Sequence, residues 1–353
     1  MDPKKEMADL AIVGGGAAGL FAAATAAELG LRCVVLERKA RVGSKLLVTG
    51  NGRCNFTRDA TPGEFLRDLG EPVASFARPA IEACPPARVS GGFRALGLRI
   101  RAMPDGRLFP ASMKAADVVH VFGDYLRETA TPVAVNCPVE SLVPVPGGGW
   151  TVRTRAFALR AAAVLVATGG LSFPKTGCLG DGYRWARALG HRIVPCRPGL
   201  GGYEWPSSTP PVPPGTRWTD AEARVLLDGR IAFRWRGEAE FESWGVGGAA
   251  VYNPQRWVER HDARRPFRLE ILGPASRVVL DSPRPRPLKE AIVTMGGVAL
   301  DEVSPDTMES RLAPGLHFAG EVLDIDGPTG GYNLTLAFAT AFLAVRHVAA
   351  AVR

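Results

Sequence analysis

The sequence predicts an α/β fold: a Rossmann-like dinucleotide-binding domain interrupted by a mainly β, barrel-like insert. Three observations carry this. A G-x-G-x-x-G run stands between a strand pattern and a helix pattern near the N-terminus. Apolar strand patterns that end in glycines recur at residues 162–170 and 316–321. Between them the sequence turns to Pro-rich coil and short β-like runs. The expected division is 1–192 with 289–353 for the dinucleotide-binding domain, and 193–288 for an inserted substrate or cover domain.

The elements follow in chain order. "DLAIV" (Asp9–Val13) is an apolar run ending at glycines, and "AAGLFAAATAAEL" (Ala17–Leu29) is a helix former closed by Gly30. "CVVLE" (Cys33–Glu37) is a second buried strand, completing a β-α-β unit and implying a parallel sheet. "AAVLVATGG" (Ala162–Gly170) adds a third strand, and a helix is expected from about Asp181 in "DGYRWARALGH". In the insert, "ARVLLDG", "RIAFRW" and "FRLEIL" read as strands. "LHFAGE" (Leu316–Glu321) returns to the buried-strand pattern. After it Leu334, Phe338, Ala341, Phe342 and Val345 recur at helical spacing, predicting a C-terminal amphipathic helix.

Composition narrows the class. With 353 residues, 46% hydrophobic and 22% charged, the chain can bury a large core. The net charge is +8, from 36 Arg and 7 Lys against 35 acids, yet no run of five or six like charges appears. The charge reads as scattered, and no nucleic-acid partner is expected. The tryptophans are not interleaved with basic residues in a nucleic-acid pattern; "FRWRGE" comes nearest and reads as a barrel strand. The six cysteines form no C-x-x-C and no Cys/His ligand spacing, so neither a metal nor a redox dithiol is expected. The start "MDPKKEMADL" lacks a signal-peptide core, which points to the cytoplasm and reduced thiols. Leu10–Ala27 and Gly327–Val345 are uncharged, but "GGGAAG" and "GPTGG" break them into shorter elements, so no membrane span is expected. Monomer and homodimer both stay open.

The chemistry starts at the glycines. Gly14, Gly16 and Gly19 permit a tight turn, close approach of backbone to a pyrophosphate, and close helix–sheet packing. The following helix start, with Ala17 and Ala18, offers free N–H groups to phosphate. Glu37, 18 residues past Gly19, stands where a ribose diol is held, with Arg38 beside it. No second such unit exists for a resident nicotinamide cofactor. Instead Gly320-Glu321 ends a strand more than 270 residues later, and "GPTGGYN" leads into the last helix. FAD is long enough to need both places. Glu321 could hold a ribityl hydroxyl. The helix start at Gly330, Gly331, Tyr332 and Asn333 could balance negative charge on a reduced flavin ring.

These motifs resemble the BaiN-like (also called YhiN-like) flavoproteins, a family of NAD(P)/FAD-dependent oxidoreductases and aminoacetone-oxidase-type proteins. The matching stretches include "AIVGGGAAGL", "VGSKLLVTGNGRCNFT", "ATGGLSFPKTGCLGDGY" and "GEVLDIDGPTGGYN", in family order at both ends of the chain. The resemblance implies a two-dinucleotide-binding-type FAD domain with an inserted β-barrel; the expected cofactor is non-covalent FAD, with NAD(P)H as a transient donor and a small-molecule substrate. Members run longer, with a helical subdomain after a segment resembling "GEAEFESWGVGGAAVYN"; here the chain passes quickly to "VTMGG". Cys178 stands where a serine is common.

The resemblance also places "GRCN" beside the flavin ring. Gly52 lets backbone run close to a flat ligand, Arg53 can hold negative charge, and Asn55 can bond a carbonyl. Cys54 is open to four roles: proton donor, charge-transfer thiolate, covalent anchor, or small packed residue. Lys45 lies just upstream. Ala167, Thr168 and Gly169 end the third strand near the cofactor, and Lys175 and Tyr332 are further candidates for chemistry. His191 and His317 read as structural. The expected activity is hydride transfer between flavin N5 and a small organic substrate, as reduction of a conjugated C=C bond with NAD(P)H as donor. A flavin-dependent amine oxidase, a tRNA-modifying flavoprotein and a non-catalytic FAD-binding protein are the alternatives.

Overall fold

A computed structural model describes residues 7–207, 210–261, 265–274 and 276–352. The charged start, residues 1–6, and residues 208 and 209 of the Pro-rich coil lie outside the described residues. The chain divides into two compact units. One comprises residues 1–170, 174–195 and 296–353, the other 171–173 and 196–295.

In the first unit the long strand Ala158–Val166 organises a seven-stranded sheet. It pairs in parallel with Ala8–Val13, which pairs in parallel with Cys33–Leu36 and, beyond it, Val133–Ala134. The other edge of the long strand serves two partners. Its first half holds the antiparallel strand Trp150–Thr154, followed by Val139–Pro144, and its last three residues pair in parallel with Leu316–Phe318. Parallel strands covered on both faces favour continuous apolar runs, which "LAIV" and "AAVLV" supply.

The helix Ala17–Glu28 packs against the C-terminal helix Tyr332–Ala351, with Phe21 stacked on Phe338 at 5.0 Å between centroids. Phe93 and Phe122 close on the same Phe338 ring and join this aromatic core. The C-terminal helix therefore differs from its expected amphipathic form. Thr335–Phe342 is buried without interruption, because neighbours cover the helix on several sides. It is long and apolar enough to cross a membrane, but 67% of that stretch is buried inside the protein.

The second unit is a six-stranded antiparallel sheet in the order 203–204, 245–247, 230–242, 216–227, 268–272, 277–281. A bridge between Tyr203 and Pro285 brings its first strand to the chain just past its last, which gives the sheet a barrel-like closure. The helix Ala249–His261 packs on this sheet and buries Ala250, Val251 and Val258 in its core. Sequence pattern alone does not reveal that helix, since glycines precede it and Pro254 lies inside it.

Buried thiols make the core sensitive to alkali. Burial pushes Cys33 and Cys84 up to about 12 and Cys54 up to about 11, from an ordinary value of 9.0. Unfolded thiols lose their protons from about pH 9 while the folded ones keep theirs, so this stabilisation is full below that pH and fades above it. Urea unfolding at about pH 8 and about pH 10 should show stability falling by roughly 1 kcal/mol per buried thiol. An unchanged midpoint would contradict the burial of these groups.

Candidate functional site

Sterics build the site at the ends of the parallel strands. Gly14 has φ +109°, and a β-carbon there would sit 2.5 Å from the Ala167 carbonyl oxygen. A β-carbon on Gly19 would sit 1.8 Å from the Gly14 carbonyl oxygen. Only glycine lets the turn, the helix and the third strand approach this closely. A β-carbon on Gly16, by contrast, would meet nothing within 4 Å. Gly16 caps the Ala17–Glu28 helix without a side-chain hydrogen bond, and the first turn carries no acid. The N–H groups of Ala17 and Ala18, in the first turn, have no acceptor within the helix and lie at the positive end of its dipole.

Glu37 is 8% exposed, and two backbone N–H groups fix its carboxylate. Gly15 N–H donates to Oε2 at 2.8 Å and Lys39 N–H to Oε1 at 2.7 Å. The second lone pairs of both oxygens remain to receive a ribose diol. Arg38, expected beside it, engages the Asp181 carboxylate instead.

The far end of the chain arrives at the same place. The position of a Gly320 β-carbon lies 3.2 Å from the Ala18 side chain. Glu321 Oε2 takes an ion pair from Lys45 Nζ at 2.5 Å, across 276 residues of sequence. A β-carbon on Gly169 would lie 3.2 Å from Cys178 Sγ and 4.0 Å from Glu321 Oε2. Thr168 Oγ1 is buried without a hydrogen bond. Gly14 to Gly19, Glu37, Lys45, Ala167 to Gly169, Gly320 and Glu321 thus form one constellation.

Lys45 opens the turn Leu46–Val48, which leads straight into the GRCN loop. The loop is wound tightly: Asn51 and Cys54 both hold positive φ, at 55° and 58°, in a region costly for side-chain-bearing residues. Thr49 O accepts from the N–H groups of Gly52 and Cys54, and Gly52 O accepts from Ala115 N–H. Arg53 is exposed, its Nε donates to Gly50 O at 3.1 Å, and its guanidinium stands over the Phe109 ring. The Asn55 amide nitrogen donates to Thr57 O and Leu108 O, both at 2.9 Å. That leaves its buried Oδ1 unpaired, an acceptor held ready for a donor. Cys54 is fully buried, and burial keeps its thiol protonated well past neutral pH. Of its four roles, the small packed residue is the one this environment supports.

Other expected residues sit elsewhere or act differently. Tyr332 is 1% exposed, packs on Phe65 at 4.8 Å and donates its hydroxyl to Asp68. Burial first, and then that carboxylate, push its pKa up, so the phenol is a core group rather than an acid poised for catalysis. The Asn333 side chain accepts from Gly327 N–H and donates to Gly327 O and Pro328 O, pinning the "GPTGG" loop. Gly330 lies against Arg58, whose guanidinium covers the Tyr332 ring at 4.7 Å and whose Nε is buried without a hydrogen bond. Lys175 lies exposed on the turn Pro174–Thr176. Sequence reasoning missed Arg58, Asp68 and Asp181. Asp68 and Asp181 meet their partners across 264 and 143 residues, so no local pattern announces them.

The donor set fits FAD. A bare helix start beside open space suits a pyrophosphate, a fixed buried acid suits a ribose, and Asn55 Oδ1 is a buried acceptor without a partner of its own.

Comparison with known proteins gives a consistent picture. The family model for the HI0933-like protein Rossmann domain matches residues 8–347. A 3-dehydro-bile acid delta(4,6)-reductase of Clostridium scindens is 29% identical over 409 aligned positions, covering 96% of this chain and 98% of the relative. A ribosomal RNA dihydrouridine synthase of Escherichia coli is 26% identical over 411, covering 98% and 99%. Both alignments are longer than the 353-residue chain, so both relatives carry segments that it lacks. A solved 3-ketosteroid-delta4-(5alpha)-dehydrogenase from Rhodococcus jostii RHA1 superposes with a TM-score of 0.60 at 13% identity, covering 98% of each chain. An E. coli quinol fumarate reductase subunit superposes at 0.57 and 17%, covering 98% of this chain and 70% of that one. At these identities the structures show a shared fold.

Replacing Gly16 with valine tests the pyrophosphate position. The extended backbone and open space at residue 16 should accept the side chain, leaving the melting temperature of the FAD-free protein within a few degrees of wild type, since the ordinary surface effect is about 0.5 kcal/mol. FAD affinity should fall about 100-fold, equivalent to about 2.7 kcal/mol, in a fluorescence titration. Wild-type affinity in a folded variant would place the phosphates elsewhere.

Proposed function

The chain belongs to the HI0933-like family, and from that membership and the geometry above we propose that it is an FAD-dependent oxidoreductase that reduces a C=C bond conjugated to a carbonyl group, with NAD(P)H as electron donor. The observation that carries the cofactor is the meeting of both chain ends: the Lys45–Glu321 pair and the open helix start at Gly16 border one constellation. Relatives guide the reaction. One is named as a delta(4,6)-reductase and another as a dihydrouridine synthase, and both names describe saturation of a carbonyl-conjugated double bond.

When bound, FAD supplies the hydride chemistry, which this chain's residues cannot perform themselves. The Ala17–Glu28 helix start binds phosphate, Glu37 orients the ribose, and Lys45 with Glu321 lies between the two binding regions. Asn55 fixes the loop through its amide nitrogen and offers Oδ1 to a donor. Arg53 is the exposed cation in the loop, and we assign it to the substrate's carbonyl oxygen, whose growing negative charge it would stabilise. A small enone is the substrate class this reading favours.

A second reading has support of its own. The dihydrouridine synthase relatives and the net charge of +8 are compatible with a uracil base in RNA as the conjugated C=C substrate. One experiment separates the two. The FAD-loaded protein is reduced with NADPH or NADH without air, then mixed with a 3-keto-4-ene steroid or with unmodified ribosomal RNA, and the return of flavin colour is followed. Rapid recolouring by the enone with formation of the saturated ketone supports the first reading; recolouring by RNA alone supports the second. Bleaching by an amine with peroxide formation would overturn both. Arg53→Met should lower kcat/KM about 100-fold with FAD binding retained.

A further inference from the structure

The C-terminal helix carries a second constellation well away from its start. His347 lies 15 residues past Tyr332, roughly 22 Å along the helix at 1.5 Å per residue. His317 is the middle residue of the Leu316–Phe318 strand, between two neighbours that point to the opposite face. It is 2% exposed, and its Nε2 lies 3.1 Å from His347 Nδ1. Glu309 forms an antiparallel bridge with His317, which puts both side chains on one face. Its Oε2 lies 4.0 Å from His347 Nδ1, and one ligand atom from each of the three residues falls within 4.8 Å of the others.

A fixed acid supports this cluster. Glu309 Oε1 accepts Gly315 N–H at 2.7 Å, which orients the carboxylate and leaves Oε2 toward the histidines. Glu309 and His347 are each about a third exposed, giving an approach from solvent. Two nitrogens bound to one tetrahedral ion at about 2.0–2.1 Å stand roughly 3.3 Å apart, close to the spacing the two rings already have. The Glu309 carboxylate, 4.0 Å from His347 Nδ1, must close in to join them.

We propose that Glu309, His317 and His347 form a binding site for one divalent transition-metal ion of the zinc class, with water completing the coordination. Nitrogen and carboxylate donors suit zinc and cobalt better than magnesium, which prefers oxygen ligands alone. The bound ion ties the last turns of the C-terminal helix to the strand Leu316–Phe318 and to the segment around Glu309, three separate stretches of chain. Its role is to fasten that helix, whose other end opens beside the "GPTGG" loop. The absence of metal motifs from the sequence is no obstacle, because the ligands are 8 and 30 residues apart and form no short spacing.

The test uses the full-length FAD-loaded protein after chelator treatment, titrated with ZnCl2, CoCl2 and MgCl2. Zinc should bind at one equivalent per chain and raise the melting temperature by mass action, cobalt should develop visible absorption bands, and magnesium should do neither. His347→Ala and Glu309→Gln alter partly exposed side chains and should fold and hold FAD. Each should weaken zinc binding by about tenfold or more and abolish the thermal gain. Failure of wild type to bind zinc, or equal binding by wild type and both variants, would overturn the assignment. Retained FAD in all forms separates that outcome from any failure of the flavin reading.

Discussion

The strand Ala158–Val166 is the constraint on which the rest depends. Ala8–Val13 bonds to one of its edges and Leu316–Phe318 to the last part of the other, all parallel. Their carboxyl ends must therefore emerge side by side. Everything that follows each strand, the glycine turn at 14–19, Ala167 to Gly169, and Gly320-Glu321, is delivered to one rim of one sheet. In open α/β sheets such a rim is where ligands bind, because the loops leave a crevice there and helix starts face it. The strand is itself held in place by burial: Ala161, Val164 and Leu165 are fully enclosed.

Glycine and charge then turn that rim into a site. Missing side chains at Gly14 and Gly19 let the turn sink against the third strand and the helix sit low on the sheet. The missing side chain at Gly16 leaves open space instead. Around that space the cations and acids are already paired with one another, Lys45 with Glu321 and Arg38 with Asp181. Partly buried ion pairs of this kind gain from geometry and lose to desolvation, so their net contribution to stability is small. Their effect is to hold Glu321 and Lys45 at set positions. Arg53 stands apart from them, exposed, with its Nε on Gly50 O and its guanidinium over the Phe109 face.

Much of this was legible in the sequence, for a physical reason. Buried parallel strands are short continuous apolar runs, and where they meet ligands they end in glycine; "LAIVGGGAAG", "VLVATGG" and "LHFAGE" all have that form. Glu37 was legible because its distance from the glycines is set by one helix and one strand. What stayed hidden depends on contacts between distant residues. Tyr332 looked available for chemistry because its neighbours in sequence are glycines and an asparagine, whereas its neighbours in space are Phe65, Asp68 and Arg58. The helix Ala249–His261 was masked by the glycines before it and by Pro254 within it. The C-terminal helix looked one-sided because small alanines, which pack as readily as large residues, leave little trace in a periodic pattern.

The central claim is that both ends of the chain hold a single FAD, with its reactive ring at the GRCN loop. A crystal structure of the FAD-bound protein tests this most directly. The account predicts the pyrophosphate at the N–H groups of Ala17 and Ala18, the adenosine ribose on Glu37, and Arg53 to Asn55 beside the isoalloxazine. A protein that takes up no flavin, or one whose isoalloxazine lies remote from that loop, would contradict it.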